Sequence, residues 1–427
     1  MLINKRVQNW TLVLMLICGF SCKKENTSFP VVEVIQPIAN SHFTVGDTLL
    51  VEAKASDDNL RRVEVTVVDE NFLPVQTSSS VTPVTNPMHF TRWFEISNLD
   101  LTSGVYHIRV RAYNDENYAS GFQQIQVAGI PKVRQGWYIA RENTNGIAVE
   151  YYPEQGNGKL VYTSAGDLLG FEIWNGEQRV KTLPRNEGIE GLIDNDQNNL
   201  IHSVSHAVNP GGSPHFTGIG LVNEGFAIMS YQGAVQILGA NNETKRTLLL
   251  PIGWSGEHIV ETNSSWMVFA QKPGIGKKVF RFSSSTGILL SEIPVADQEI
   301  IYTKNYNGSA LVVTKNERVY GLTEGGVVNE LKAASNAVVN DAVYIDDDQL
   351  LYAKNGGLFQ FDLSTKQEIK IEAVPYVPEV LSYDEVNEEV QLSKGQLFEV
   401  RVKNGWSVKK SLNLAQQILE HGAVFNR

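Results

Sequence analysis

Residues 31–128 show short apolar stretches separated by polar turns. From Tyr106 to Ala112, apolar and polar side chains alternate strictly, which indicates a strand with one buried and one solvated face. Similar strand signals recur at short, regular spacing, as in an antiparallel sandwich. The pattern predicts strands at 31–35, 48–54, 62–68, 90–96, 105–112 and 121–127.

Residues 132–427 carry a hairpin pattern that recurs about every 40 residues. Each copy has a strand, a small residue, a lysine or another polar residue, a polar turn, and then apolar and aromatic residues. In the clearest copies, Lys315, Lys354 and Lys394 follow one another at intervals of 39 and 40 residues, and weaker copies begin near Ala140, Ser230 and Ala270. A unit of this length with four short strands is typical of a β-propeller blade.

The length of this region predicts about seven blades at ~41 residues per blade, with six or eight as alternatives. The copies at Arg141 and Gln232 are about two periods apart, so we expect one degenerate blade between them. Residues 418–425 follow a complete last unit, and pairing with the first blade would close the ring without an exposed edge. The predicted fold is therefore all-β, a sandwich over 31–128 followed by a propeller over 132–427.

The N-terminus has the pattern of an export signal. Lys5 and Arg6 precede an apolar run of about ten residues, which is the length of a signal-peptide core rather than a membrane span. The run ends at Gly19-Phe20-Ser21-Cys22, which resembles the lipobox of bacterial lipoproteins, and the sequence Ser-Cys-Lys-Lys-Glu is similar to the start of many lipoproteins from Bacteroidetes-type bacteria.

This resemblance implies that residues 1–21 are a signal peptide and that Cys22 becomes the lipid-modified first residue of the mature chain. Residues 22–30 would then be a polar tether. We therefore expect a protein of the cell envelope, anchored to the outer membrane by its lipid and facing the periplasm or the outside.

Two further resemblances concern the folded regions. The segments Val45-Gly46-Asp47-Thr48-Leu49 and Ala55-Ser56-Asp57-Asp58-Asn59-Leu60 resemble Ig-like and PKD-like modules, which implies an Ig-like sandwich with a spacer role. The segment 280–288, Phe-Arg-Phe-Ser-Ser-Ser-Thr-Gly-Ile, is similar to the strand-turn-strand unit of YVTN-type and quinoprotein-like propellers. The tryptophan that typically ends a quinoprotein repeat is absent near Ser291, so this resemblance implies an architecture without a quinone cofactor.

Charge and cysteine content exclude several functions. The formal net charge is −11, and it becomes −13 without residues 1–21, which contain Lys5, Arg6 and no acidic residue. Such an acidic body repels phosphate backbones, so we expect no nucleic-acid partner. Both cysteines, Cys18 and Cys22, lie at the N-terminus, which leaves the rest of the chain without a disulfide, a thiolate ligand or a cysteine nucleophile.

Two groups of residues are candidate sites. Asp57, Asp58, Asp115 and Glu116 lie in two loops that should meet at one end of the sandwich, where their oxygens would suit Ca²⁺. The same residue types also serve as turn formers and solvated loop tips. We therefore predict no bound cofactor. Ca²⁺ is the cation that the oxygen ligands of these residues would suit.

Three of the eight histidines, His202, His206 and His215, lie in the stretch that escapes the repeat. Imidazoles bind transition metals, but residues four apart on one strand are about 13 Å apart, too far for one ion. We predict no metal at these histidines. Their stretch, including the loop Asn209-Pro210-Gly211-Gly212-Ser213, is a candidate ligand-binding surface because irregular insertions on a regular scaffold tend to carry binding.

No hydrolase elbow, phosphate-binding loop or zinc-protease motif is present in the sequence. We therefore expect the propeller to bind an envelope protein or a glycan without catalysis. One alternative is a propeller enzyme, such as a lyase, glycosidase or dehydrogenase, which paired carboxylates with shifted pKa values in the central channel would support. The other is a structural subunit of an envelope assembly, which a large apolar patch would support.

Overall fold

The computed structural model describes residues 29–83, 85–98, 101–207, 214–296, 298–345 and 348–426. The chain divides between Pro131 and Lys132 into two compact units. Strands dominate both units. No helix among the described residues is long and apolar enough to cross a bilayer. The predicted signal peptide, Cys22 and most of the tether lie outside the described residues.

The described part of the first unit is a two-sheet structure with one apolar core. Its strands are β1 Val31–Gln36, β2 Ser41–Thr44, β3 Thr48–Ser56, β4 Arg62–Val68, β5 Ser79–Val81, β6 Met88–Glu95, β7 Gly104–Tyr113 and β8 Tyr118–Ala128. One sheet has the order β1-β3-β6 and the other the order β2-β8-β7-β4-β5. Tyr106, Ile108, Val110 and Ala112 of β7 are buried in this core, which confirms the predicted alternation. All six predicted strands are present, whereas β2 and β5 are too short to give a pattern.

The second unit is built from strands joined by turns, with one short 3-10 helix, Asn175–Glu177, in its described part. Its strands are β9 Arg134–Asn143, β10 Gly146–Pro153, β11 Lys159–Trp174, β12 Arg179–Asp194, β13 Asn199–His206, β14 Phe216–Val222, β15 Gly225–Ser230, β16 Ala234–Leu238, β17 Thr244–Leu249, β18 Ser255–Glu261, β19 Ser265–Lys272, β20 Gly276–Ser283, β21 Leu289–Val295, β22 Ile300–Tyr306, β23 Ser309–Thr314, β24 Val319–Leu322, β25 Val328–Lys332, β26 Val339–Ile345, β27 Gln349–Lys354, β28 Gly357–Asp362, β29 Glu368–Lys370, β30 Val380–Asp384, β31 Glu389–Lys394, β32 Leu397–Val402, β33 Val408–Asn413 and β34 Ile418–Phe425.

Strands β14 to β33 form antiparallel four-stranded sheets, each made of four consecutive strands. The repeated hairpin of the sequence is the pair of middle strands in each sheet, such as β27 with β28, so the repeat is confirmed. The turn between β27 and β28 requires glycine, because Gly356 and Gly357 have φ values of 102° and 141°, which residues with a side chain rarely adopt.

The sheets are arranged in a closed ring, which is a β-propeller. The first strands β14, β18, β22, β26 and β30 follow one another around the ring, β34 comes after β30, and β11 lies between β34 and β14. Strand β34 pairs with β9, with His421 opposite Ile139 and Ala423 opposite Trp137. The prediction that residues 418–425 close the ring is confirmed.

The interval between the hairpins at Arg141 and Gln232 is irregular, as expected. Strands β11 and β12 have 16 residues each, and each pairs with different neighbours along its length. The N–H of Asn195 donates to the carbonyl of Gln178 at 3.0 Å, and the N–H of Gly191 donates to Thr182 Oγ1 at 3.1 Å. The two halves of β12 therefore lie side by side, with Gly191 opposite Thr182.

Candidate functional site

A polar cavity of about 920 Å³ lies at the centre of the ring. Seven strand segments line it, contributed by β11, β14, β18, β22, β26, β30 and β34. The side chains at the cavity therefore come from segments far apart in sequence, Glu172 on β11 and Glu420 on β34 among them. This arrangement is the usual concave site of a ring-shaped scaffold.

Four half-buried carboxyl groups line this cavity, which we call the central channel, and Glu172, Asp341 and Glu420 dominate its chemistry. Burial raises the pKa of Glu172 to about 7, because an ionised carboxylate loses its hydration there. Burial also raises the pKa of Asp341 to about 7, even though the backbone N–H groups of Leu381 and Ala342 donate to its carboxylate at 2.6 and 2.8 Å. Burial, and then the charges of Asp341 and Glu172, raise the pKa of Glu420 well above its ordinary value.

The other polar groups of the channel do not neutralise these acids. His258 donates from Nε2 to the carbonyl of Ile300 at 3.2 Å, and burial lowers its pKa, so it is neutral at pH 7. The hydroxyl of Tyr302 accepts a hydrogen bond from the backbone N–H of Tyr344 at 3.1 Å. Lys304 is the one lysine or arginine among the described lining residues, and its ammonium lies over the ring of Tyr344, 5.3 Å from the centroid.

Carboxyl groups with pKa values near 7 can both donate and accept hydrogen bonds at neutral pH. They suit a ligand rich in hydroxyl, amide or amine groups, and they also suit proton transfer. Within the described residues, no group of three or more His, Cys, Asp or Glu side chains is arranged to hold a metal ion.

Two of the three candidate histidines come together in a second cavity, of about 370 Å³. The rings of His206 and His215 have centroids 4.6 Å apart, and both line this cavity with Glu190. His202 lies on β13 opposite Leu192 and is exposed, away from the pair. The loop Asn209-Pro210-Gly211-Gly212-Ser213 lies outside the described residues.

The four candidate calcium ligands sit at one end of the first unit, as expected, but Asp57 and Asp115 have other partners. Arg61 donates to both carboxylate oxygens of Asp115, at 2.8 and 3.0 Å. Asp57 accepts hydrogen bonds from the N–H of Asn59 and from Asn114 Nδ2. Asp58 and Glu116 are exposed.

Glu172, Asp341 and Glu420 were not predicted from the sequence, because they belong to strands that share no common motif. A signal does exist for two of them: Asp341 and Glu420 are each the single acidic residue of their strands, β26 and β34. An isolated carboxyl in a strand that opens a repeat unit is a reason to look at the centre of a ring.

Comparisons with known proteins add little to this picture. No family model matches the sequence, and no curated protein matches it. The structure is similar to the crystal structure of a computationally designed protein, Ika8, at 10% identity and a TM-score of 0.46, over 67% of this chain and 90% of that chain. It is also similar to the WD40 β-propeller domain of Doa1, at 11% identity and a TM-score of 0.42, over 56% of this chain and 80% of that chain. Structural similarities at this sequence identity and TM-score do not indicate a function for this chain.

Proposed function

We propose that this chain is a cell-envelope lipoprotein whose propeller binds a small polar ligand in its central channel. In this proposal Cys22 carries the lipid, an Ig-like sandwich is the spacer, and the propeller has seven blades. The seven strand segments around the channel support the blade number. The two sheets around one core support an Ig-like first unit.

One observation carries the binding proposal, namely that the carboxyl groups of Glu172, Asp341 and Glu420 share the channel without an ion-pair partner among the described residues. Burying a carboxyl group away from water is unfavourable unless another group satisfies it. Glu172 has no hydrogen-bond or ion-pair partner among the described residues, and it raises the pKa of Glu420 further. A ligand that hydrogen-bonds to these groups would supply the missing partner.

The test uses thermal stability, because a ligand that binds only the folded state raises the unfolding temperature. Small-molecule fractions extracted from the cell envelope are added to the intact protein and to the double variant Glu172→Gln/Glu420→Gln. The control is Glu372→Gln, whose side chain is 79% exposed. We expect at least one fraction to stabilise the wild type and the control but not the channel variant. Equal stabilisation of all three proteins, or of none, would contradict the proposal.

The raised pKa values also favour a second candidate, an enzyme that uses a channel carboxyl as general acid or base. A group with a pKa of about 7 can exchange a proton with substrate at neutral pH, and Glu172 and Asp341 both meet this condition. The stabilising fraction separates the two candidates. A binding module returns it unchanged after incubation, whereas an enzyme converts it, and mass spectrometry of the recovered fraction distinguishes these results.

The anchor and its location belong to the same proposal. The lipid on Cys22 would hold the protein at the outer membrane, with the propeller in the periplasm or outside, and an envelope protein or a glycan as its partner. The alternative of a structural subunit of an envelope assembly stays a prediction. The acidic net charge of −11 supports the exclusion of nucleic acid as a partner.

A further inference from the structure

The cavity around His206 and His215 is a separate candidate site. It has a volume of about 370 Å³ and is lined by β12, β13 and the sheet β14 to β17. Among the described residues, none lines both this cavity and the central channel. We call it the histidine cleft, defined by Glu190, His206, His215, Gln236 and Thr244 among its lining residues.

A buried ion pair fixes the position of His206 in the cleft. The ammonium of Lys181 is fully buried and donates to Glu190 and, at 2.7 Å, to Asn242 Oδ1. The other oxygen of Glu190 lies 2.9 Å from His206 Nε2. Burial opposes the charge of Glu190, but Lys181 and His206 outweigh it and hold its pKa below the ordinary value. Buried charges that orient a ring in this way are typical of a positioned binding group.

The hydrogen bond to Glu190 also defines what His206 offers to a ligand. A carboxylate only accepts, so Nε2 of His206 donates to Glu190, and Nδ1 has no hydrogen-bond partner among the described residues. Burial, and then the neighbouring His206, lower the pKa of His215, so that ring is neutral at pH 7. Nδ1 of His215 is buried without a hydrogen-bond partner among the described residues.

The rest of the lining is neutral and rich in hydrogen-bonding groups. The amides of Gln232 and Gln236 and the hydroxyl of Thr244 are exposed, and no hydrogen bond engages them within the described residues. The ring of Phe216 packs edge-on against both histidines, with centroids 4.8 and 4.5 Å away. The cleft therefore places hydrogen-bonding groups beside the half-buried imidazole rings of His206 and His215.

We propose that the histidine cleft binds a neutral polyhydroxylated ligand, the chemistry of an uncharged sugar. Lys181 and Glu190 cancel each other, so the lining does not favour an anion or a cation. Amides and imidazoles bind hydroxyl groups, and aromatic faces pack against the apolar faces of a sugar ring. The volume falls within the range of small-molecule sites.

The test uses the intact protein and a panel of free monosaccharides and disaccharides, neutral, amino-substituted and acidic, followed by saturation-transfer NMR and calorimetry. The variant Gln236→Ala removes an exposed amide without disturbing the buried ion pair. Its matched control is Gln271→Ala, an exposed strand glutamine of the neighbouring sheet that lies outside the cleft. His206→Ala is a second variant, with its folding checked by circular dichroism.

We expect one or more neutral saccharides to bind, with about tenfold weaker affinity in Gln236→Ala and unchanged affinity in Gln271→Ala. The double variant Glu172→Gln/Glu420→Gln should bind the saccharide as the wild type does, which separates this site from the central channel. Failure of every neutral saccharide to bind, binding of acidic or amino sugars alone, or equal effects of Gln236→Ala and Gln271→Ala would overturn the proposal.

Discussion

Arg134 and Asp384 are 250 residues apart in the chain, and Nη1 of the arginine donates to Oδ2 of the aspartate at 2.6 Å. The two side chains are 2% and 0% exposed. Arg134 begins β9 and Asp384 ends β30, so this ion pair joins the first sheet of the ring to the last. The same guanidinium also contacts Glu154 and the buried carboxylate of Glu389. Ring closure thus combines the pairing of β34 with β9 and a buried charge cluster.

The first prediction concerns this cluster. Arg134→Met keeps the approximate volume but leaves Asp384 and Glu389 buried without the guanidinium, so the free energy of unfolding should fall by about 3–5 kcal/mol. Urea denaturation followed by circular dichroism measures the change. Lys315→Met is the control because its pair with Glu299 is exposed, and it should change stability by less than about 1 kcal/mol. Similar losses in both variants would show that the closure cluster has no special role.

The sequence repeat predicted the propeller because each blade buries the apolar residues of its middle hairpin against the adjacent blades. The same apolar pattern therefore recurs in every blade. They did not predict the environment of the repeated residue. Lys354 is buried and bonds to Glu317 and Glu368, whereas Lys315 is about half exposed and bonds to Glu299. The repeat preserves the hairpin, while each lysine bonds to a different set of acidic residues, of which Glu317 lies in the hairpin copy that contains Lys315.

The candidate site was predictable only in part. His206 and His215 meet because the irregular unit brings the last residue of β13 close to the residue that precedes β14, and sequence spacing marked that unit. The channel acids could not be grouped in advance, since Glu172 and Glu420 are neighbours only after the ring has closed. Contacts formed by closure of a ring have no local signature in the sequence.

A second prediction follows from the raised pKa of Glu172. The unfolded chain loses this proton near its ordinary pKa of 4.5, whereas the folded protein keeps it until about 7. The folded state therefore binds the proton more tightly, and its stability falls as the pH rises through that window. Glu172→Gln removes this titrating group. The free energy of unfolding of the variant should therefore exceed that of the wild type by on the order of 2 kcal/mol at about pH 8, and the two values should be equal near pH 4.5.

Urea denaturation at the two pH values measures this difference. Glu372→Gln, at an exposed position, should have the same free energy of unfolding as the wild type at both pH values. An advantage of Glu172→Gln that is the same at both pH values, or a loss of stability at the higher pH, would show that Glu172 does not carry a raised pKa.

A third prediction concerns the anchor. If Cys22 is lipidated, Cys22→Ser should move the protein from the membrane pellet to the soluble fraction, and mass spectrometry should lose the acylated N-terminal peptide. Cys18→Ser is the matched control, because this residue lies in the predicted signal peptide and its loss should leave the protein in the membrane. Retention of Cys22→Ser in the membrane, or release of both variants, would refute the lipid anchor.

The most direct test of a ligand in the central channel is native mass spectrometry of the intact protein solubilised from its own membranes. The binding account predicts that the wild type carries a small molecule of defined mass in near-stoichiometric amount, and that Glu172→Gln/Glu420→Gln carries much less. A bare wild type, or the same adduct in equal amount on both proteins, would contradict it.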